Sequence, residues 1–384
     1  MLGRHVALSY RPGSGCQQDA RAAAALAAWQ IPVSGSFDNA ASHQHTETMK
    51  AILVTGGAGF IGSNFIQYWY DTHPEFRILN LDLLTYAGNP DNIPARIRND
   101  QDRYEFWYGN VCNPDLVSSL VARSDIVVHF AAESHVARSL YDNRVFFETD
   151  ILGTHTVANA VVKHADRIGI FVHISTSEVY GTAVEQPMTE EHPLNPMSPY
   201  AAAKAGADRL VYAYLKTYGI PAVIVRPFNQ YGPNQHLEKL IPRFITSALT
   251  DTPLELHGGG HARRDWLHVQ DLCRRIDLVI AKRDKAVGEV FNLGSGETAT
   301  VREIADLVLD HFGKPRDLCV SIEDRPGQVD VHISSTQKAA ALLGVRPGVP
   351  FKEGLTKTIE WYRANESWWR RIEWMTHANA SSKW

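Results

Sequence analysis

From Ala51 onward the chain alternates short β-branched or aliphatic runs with longer stretches of helical period. The runs AILVT, RILNLD, DIVVHF and IFVHIST read as strands, and helices are predicted from Ile61 to Tyr70 and from Val145 to Val162. After Pro221 the run AVIVRP gives one more strand. Beyond it the spacing becomes irregular, with RDWLHV and EVFNLG as strand candidates and Val301 to His311 as a helix. Such alternation is the mark of a parallel sheet covered by helices on both faces, hence an α/β, doubly wound architecture. The irregular remainder predicts a second, smaller part that closes over the first. No internal repeat or low-complexity tract interrupts the pattern.

The first 48 residues differ from the rest. They carry Gly and Pro punctuation, an alanine-rich patch from Ala22 to Ala28 and a polar run through Ser42, His43, Gln44 and His45. The apolar stretch of a signal peptide is missing after the basic start. Met49 and Lys50 immediately precede the first strand, so residues 1–48 are expected to be a disordered extension.

Composition narrows the class of partner. At 384 residues and a formal net charge of −4, with acids and bases interleaved, the chain has no basic field to neutralise nucleic-acid phosphates. No apolar run approaches the roughly 18 residues a membrane helix needs. Cys16, Cys112, Cys273 and Cys319 show neither metal-ligand spacing nor a paired framework. Scattered thiols of this kind fit a reducing compartment, the cytoplasm, and no metal is expected. A small-molecule partner fits best.

The chemistry begins where AILVT runs into TGGAGFIG, which places Gly56, Gly59 and Gly62 on a turn and the first helical turn. Glycines serve there because the backbone turns tightly, approaches a pyrophosphate and packs helix against strand. A glycine triplet alone is weak. This one follows a strand, opens a helix and precedes Asp82 at the end of the next strand, where an acid meets the adenine ribose hydroxyls and repels a 2′-phosphate. NAD is therefore expected over NADP.

Further on, IFVHIST ends in Ser175 and Thr176, followed by Ser177 and Glu178. The predicted helix SPYAAAKAGADRL then brings Tyr200 and Lys204 to one face, four residues apart. A lysine one turn from a tyrosine is expected to lower the phenol's pKa, so that it can take a hydroxyl proton while hydride leaves the carbon. On its own a Tyr-x-x-x-Lys spacing is more often a solvated surface. Its place after a Ser-Thr strand end, downstream of a dinucleotide fingerprint, reverses that.

With these motifs in view, residues from Met49 to about Trp369 resemble the extended short-chain dehydrogenases, and within them most closely the dTDP-glucose 4,6-dehydratases. The resemblance is carried by TGGAGFIGSNF, LDLLTYAGN, HFAAESHVARS, ISTSEVYG, SPYAAAKA, FNQYGPNQHLEKLIPRFI, RRDWLHVQD, EDRPGQ and IEWYRANESWW. It implies a Rossmann-type NAD domain with a seven-stranded parallel sheet over 49–228, to which some later segments return. It also implies a smaller nucleotide-sugar domain, mainly 229–384, and a homodimer built through long helices. In such enzymes C4 of the sugar is oxidised, water leaves across C5 and C6, and the hydride returns to C6. Tyr200, tuned by Lys204, would remove the C4 hydroxyl proton, Thr176 would hydrogen-bond the same oxygen, and Glu178 would be the C5 base.

Three departures qualify the likeness. Ser177 stands where those dehydratases carry an acid that protonates the leaving hydroxyl, and a serine is a poor general acid. Thr-Ser-Glu is instead similar to GDP-mannose and UDP-N-acetylglucosamine 4,6-dehydratases and to UDP-glucuronate decarboxylases, so Glu178 would serve as both base and acid. Asn110 and Ala137 each replace a family Asp. Together these place UDP-N-acetylglucosamine slightly ahead of dTDP-glucose as substrate. The resemblance assigns Ser134, Asn229, Lys239, Leu240, Arg264, Asn292 and Arg325 to the substrate, Arg264 and Arg325 being the expected diphosphate pair. To the cofactor it adds Phe60, Ile61, Asn110, Val111, Phe130, Ala131, Ala132, Thr149 and Gln230, with Tyr200 and Lys204 also expected to meet it. UDP-glucuronate decarboxylation and 4-epimerisation are the alternatives. The intact Thr176, Glu178, Tyr200 and Lys204 argue against a non-catalytic NAD-binding protein.

Overall fold

The structure is a computed structural model that describes residues 49–323, Val329 and 331–376. The segment 1–48 lies outside the described residues. Seven parallel strands make the main sheet: β1 (Lys50–Thr55), β2 (Phe76–Asp82), β3 (Tyr104–Tyr108), β4 (Ile126–His129), β5 (Ile170–Ile174), β6 (Ala222–Pro227) and, returning from far along the chain, β10 (Val290–Leu293). Their order is β10-β6-β5-β4-β1-β2-β3, so the chain starts in the interior and winds outward in both directions. The sequence reading contained every one of these strands except β3.

Strand residues are apolar on both sides because both faces are covered. Ile52, Val54, Val128, Val172 and Val225 face one core, together with Phe65 and Ile66 of α1 (Phe60–Thr72). Their neighbours Leu53, Val127, Phe171 and Ile224 face the other, against Val157 and Val161 of the helical stretch that ends in Thr154–Lys163. That stretch spans Arg144 to Lys163, within one residue of the predicted Val145 to Val162, but its middle, Phe147–Gly153, is wound as a π-helix. A π turn displaces side chains from the regular helical face and recurs at functional sites.

The remaining elements build a separate apolar core. Helix α3 (Leu240–Leu249), helix α4 (Val301–Phe312) and helix α5 (Phe351–Ala364) pack Phe244, Val308 and Ile359 around Trp266 of β9 (Arg263–His268). Beside β9 lie β7 (Asn229–Tyr231), β11 (Thr298–Thr300) and β13 (Val331–His332). A parallel pair, β8 (Leu254–His257) with β12 (Cys319–Ile322), completes the strands. Against the 144–163 helical stretch and strand β6 of the main sheet packs α2 (Pro199–Tyr218), whose start is fixed by Ser198, its hydroxyl accepting from Ala201 N at 3.1 Å, and whose end is fixed by Gly219 at φ 65°.

Candidate active site

A cleft opens at the carboxyl ends of the parallel strands, where α/β sheets bind ligands. At the end of β1, Gly56 has φ 72°, and a β-carbon there would lie 2.6 Å from Ala131 N, so no side chain fits. A β-carbon on Gly62 would come 2.3 Å from Gly56 O, which explains the close packing of α1 on the turn. Gly59 is different: it lines the cleft and caps α1 without a side-chain bond, leaving the first-turn amides for an anion. Asp82 ends β2 with both carboxylate oxygens held by backbone, Oδ2 by Ala58 N at 2.9 Å and Oδ1 by Leu84 N at 2.8 Å. Burial raises its pKa, and these two donors oppose the rise. A glycine cradle without side chains, an uncapped helix start and a fixed acid on the adjoining strand are what a dinucleotide requires.

The other cofactor-side positions read from sequence gather in the same cleft. Phe60 and Ile61 come from α1, Asn110 and Val111 from the segment after β3, and Phe130, Ala131 and Ala132 from the end of β4. Thr149 arrives on the π turn and Gln230 on β7. Asn110 also shapes its own turn, Oδ1 accepting from Cys112 N at 2.8 Å. On the far rim Lys239 donates to Ser134 O at 2.7 Å, and both residues line the cleft.

At the catalytic end, β5 delivers Ser175 and Thr176. The Thr176 hydroxyl accepts from Glu178 N at 3.2 Å and starts the short turn Ser177–Tyr180. Tyr200 and Lys204 project from the buried side of α2, and the Thr176 side chain acts on the Tyr200 hydroxyl. The expected lowering of the phenol by Lys204 is not the controlling effect. Burial pushes the Tyr200 pKa up, the Thr176 side chain opposes this, and the Asp150 and Glu178 carboxylates add to the rise. Lys204 instead donates to Ile174 O at 2.7 Å, and its charge is answered by Asp150 and Asp208 while burial lowers its pKa. Asp150 sits on the π turn and Asp208 one turn further along α2, and both raise the pKa of the same ammonium.

The substrate-side expectations fare unevenly. Asn292 is a correction: fully buried, its Oδ1 accepts from Tyr180 OH at 2.6 Å and its Nδ2 donates to Met188 O at 3.0 Å, so its amide is spent inside the protein. Arg264 is buried on β9, with hydrogen bonds to Val329 O and to Arg263 O. Leu240 packs against the second core, and Asn229 is half-buried at the start of β7. Arg325 lies outside the described residues.

Two groups near the reaction end were not singled out from sequence. Asp150, fully buried on the π turn, accepts from Glu133 N at 2.8 Å, and its pKa is raised by burial against the pull of Lys204. His332, fully buried on β13, contacts Ser177. Only the tertiary path brings His332 there, from 155 residues away. Among the described residues no group of three or more His, Cys, Asp or Glu is placed to hold a metal ion.

Comparison with known proteins gives a consistent picture. The family model described as GDP-mannose 4,6 dehydratase matches residues 53–358. A dTDP-glucose 4,6-dehydratase of Streptomyces niveus is 43% identical over 336 residues, covering 86% of this chain and 98% of that protein. Among solved structures, a dTDP-glucose 4,6-dehydratase from Streptomyces venezuelae with NAD bound superposes with a TM-score of 0.79 at 41% identity, covering 84% of this chain and 99% of that one. A UDP-glucuronic acid 4-epimerase from Bacillus cereus is more distant in sequence, at 28% identity and a TM-score of 0.76 over 82% of this chain and 99% of its own.

Proposed function

The chain belongs to the GDP-mannose 4,6 dehydratase family, and on that premise we propose that it is an NAD-dependent nucleotide-sugar 4,6-dehydratase acting on dTDP-glucose. The observation that carries this is the convergence of Thr176, Tyr200 and Lys204 at the mouth of a dinucleotide-shaped cleft, with the Glu178 carboxylate close enough to act on the Tyr200 phenol. The relatives reverse the order read from sequence: dTDP-glucose moves ahead of UDP-N-acetylglucosamine, because Ser177 and Ala137 are point departures within a chain that is otherwise dTDP-glucose-dehydratase-like throughout. The 4-epimerase alternative has only the lower-identity likeness in its favour and leaves Glu178 without a task.

In the working enzyme Gly56, Gly59 and Gly62 with the start of α1 would hold the pyrophosphate, and Asp82 the adenine ribose. NAD bound there supplies a hydride acceptor and later a hydride donor. Tyr200 and Thr176 would share the C4 oxygen, Tyr200 taking its proton. Lys204, held by Ile174 O one turn along α2 from Tyr200, would supply positive charge toward the developing phenolate. Glu178 would remove the C5 proton once the C4 ketone has acidified it. Lys239 and Ser134 on the rim would meet the nucleotide-sugar, together with Arg264, Arg325, Asn229 and Leu240.

The domain division at 228/229 belongs to the same reading: the main sheet carries the cofactor and the second core the sugar nucleotide. A homodimer in the cytoplasm completes it. Val145, Phe147 and Leu152 on the 144–163 helical stretch and Tyr212 and Tyr218 on α2 are exposed apolar side chains on two helices that pack together, the kind of face a second copy would bury. Sedimentation of the protein as a monomer would remove the dimer from the reading. Among the described residues no helix is long and apolar enough to cross a membrane.

The test is incubation of the purified protein and NAD with dTDP-glucose, UDP-N-acetylglucosamine, GDP-mannose, UDP-glucose and UDP-glucuronate separately, following product mass. Loss of one water from dTDP-glucose is expected. Loss of carbon dioxide from UDP-glucuronate, or an epimer of unchanged mass, would replace the proposal.

A further inference from the structure

Elimination of water asks for two proton transfers, removal of the C5 proton and protonation of the departing C6 oxygen. The Thr176-Ser177-Glu178 segment offers one carboxylate for both. Directly behind it lies His332, brought in by β13, which pairs with β9 so that His332 stands opposite Arg264. The His332 ring is fully buried, and its Nε2 lies 2.7 Å from Gly181 O. A carbonyl oxygen can only accept, so Nε2 carries the hydrogen and Nδ1 of the neutral ring presents a lone pair. That lone pair is 3.4 Å from Ser177 Oγ and 4.0 Å from Glu178 Oε1. Ser177 therefore donates its hydroxyl hydrogen to His332, and the Glu178 carboxylate stands just beyond hydrogen-bond distance of the same nitrogen.

We propose that His332 is a positioning residue that joins Glu178 and Ser177 into one proton route, returning the proton taken from C5 to the C6 hydroxyl as it leaves. The inference rests on the dehydratase reading. In the elimination the C5–H pair becomes the C5–C6 double bond and the C6–O pair departs with oxygen. The proton passes from Glu178 to His332 Nδ1 as the carboxylate closes from 4.0 Å to hydrogen-bond distance, and Ser177 hands its own hydroxyl proton to the leaving oxygen as it takes the one from His332. One water leaves, no group is oxidised or reduced in this step, and His332 ends as neutral as it began.

The surroundings suit a ring that starts neutral. Burial lowers the His332 pKa, Arg264 and His192 lower it further, and Glu178 and the bond to Gly181 O oppose them. The Phe228 ring, at a centroid distance of 6.2 Å and 70°, closes the apolar side. A histidine that merely tied β13 to the turn after β5 would need Nε2 and Gly181 alone. The second nitrogen, turned to both residues of the catalytic segment, is what that role leaves unexplained.

The test uses the whole protein with NAD and dTDP-glucose. His332→Gln keeps a donor for Gly181 O but cannot titrate. Its kcat is expected to fall roughly 100-fold or more, within the usual span of general acid–base catalysis, with KM nearly unchanged. Exchange of the C5 proton with deuterated solvent should persist, since Glu178 still works. Ser177→Asp placed on His332→Gln should restore turnover by supplying an acid directly. A His332→Gln kcat within about threefold of wild type, or loss of C5 exchange along with turnover, overturns the route. Independently of activity, nitrogen-15 histidine spectra should show His332 as the Nε2–H tautomer and its pKa should drop in Glu178→Gln. An Nδ1–H tautomer overturns the proposal. If wild type dehydrates no nucleotide sugar, the functional reading fails, while the tautomer still decides whether the Ser177–His332–Glu178 arrangement exists.

Discussion

Asp208 is buried beneath the catalytic strand end, and replacing it by Asn is expected to destabilise the protein more than any exposed charge deletion. Its carboxylate accepts from Arg226 Nε at 2.8 Å and Nη2 at 3.0 Å, from Arg209 Nε at 3.0 Å and from Ser175 Oγ at 2.8 Å. The Asp208 side chain is 0% exposed and that of Arg226 2%, so neither charge has water to fall back on. Asp208→Asn leaves the guanidinium with Tyr180 OH and Glu190 O but no anion. Removing one partner of a buried pair costs about 3–5 kcal/mol, which for a chain of this size lowers Tm by roughly 10 °C. Burial works to raise the Asp208 pKa, but Arg226 and Arg209 prevail and hold it down at about 2 against an ordinary 3.8. A depressed carboxylate contributes stability that is fully present above its unfolded pKa and is lost as pH falls through the folded one. The shift corresponds to roughly 2 kcal/mol. Urea unfolding of wild type should thus weaken between about pH 5 and 2 by an amount that Asp208→Asn lacks. The double variant Asp208→Leu, Arg226→Met removes both charges and should recover much of the loss. An Asp208→Asn protein melting within about 2 °C of wild type, or one with an unchanged acid limb, would refute the pair's role.

Glu178→Gln should still oxidise C4, so reduced-nicotinamide absorbance builds up while release of a 4-keto-6-deoxy sugar falls by roughly 10²–10⁴, read by rapid mixing and product mass. Normal turnover of that variant would remove Glu178 as the C5 base. Gly56→Ala forces a side chain into a position with φ 72° and 2.6 Å from Ala131 N, and should weaken NAD binding by at least about tenfold in calorimetry, with the backbone strain alone costing about 1–2 kcal/mol. Tyr200→Phe removes the hydroxyl that would take the C4 proton and should cut dehydration by roughly 10²–10⁴ while the affinity for NAD changes little, because the glycine cradle and Asp82 are untouched.

Local pattern was enough for the main sheet, and the cofactor-side positions read from it line one cleft. Strands buried on both faces read as continuous apolar runs, and the glycine turn, Asp82 and the Tyr200–Lys204 pair each carry their spacing in a few consecutive residues. β3 escaped because YEFWY holds a charge and sits at the sheet edge, partly exposed. The π winding of Phe147–Gly153 escaped because residue identity gives a helical period without fixing how tightly one turn is wound. What only the tertiary structure decided is which distant groups share a charge or a proton. Asn292 reads as a substrate residue in FNLG, yet β10 buries its amide against Tyr180 and Met188. Lys204 reads as the partner of Tyr200, yet Asp150 acts on its ammonium from the π turn, an element remote in sequence, alongside Asp208 one turn further along α2. His332 has no motif at all and stands beside Ser177 because β13 pairs with β9. Sequence spacing determines contacts along one turn or one strand; electrostatic and hydrogen-bond partners act across space, and the fold alone brings them within reach.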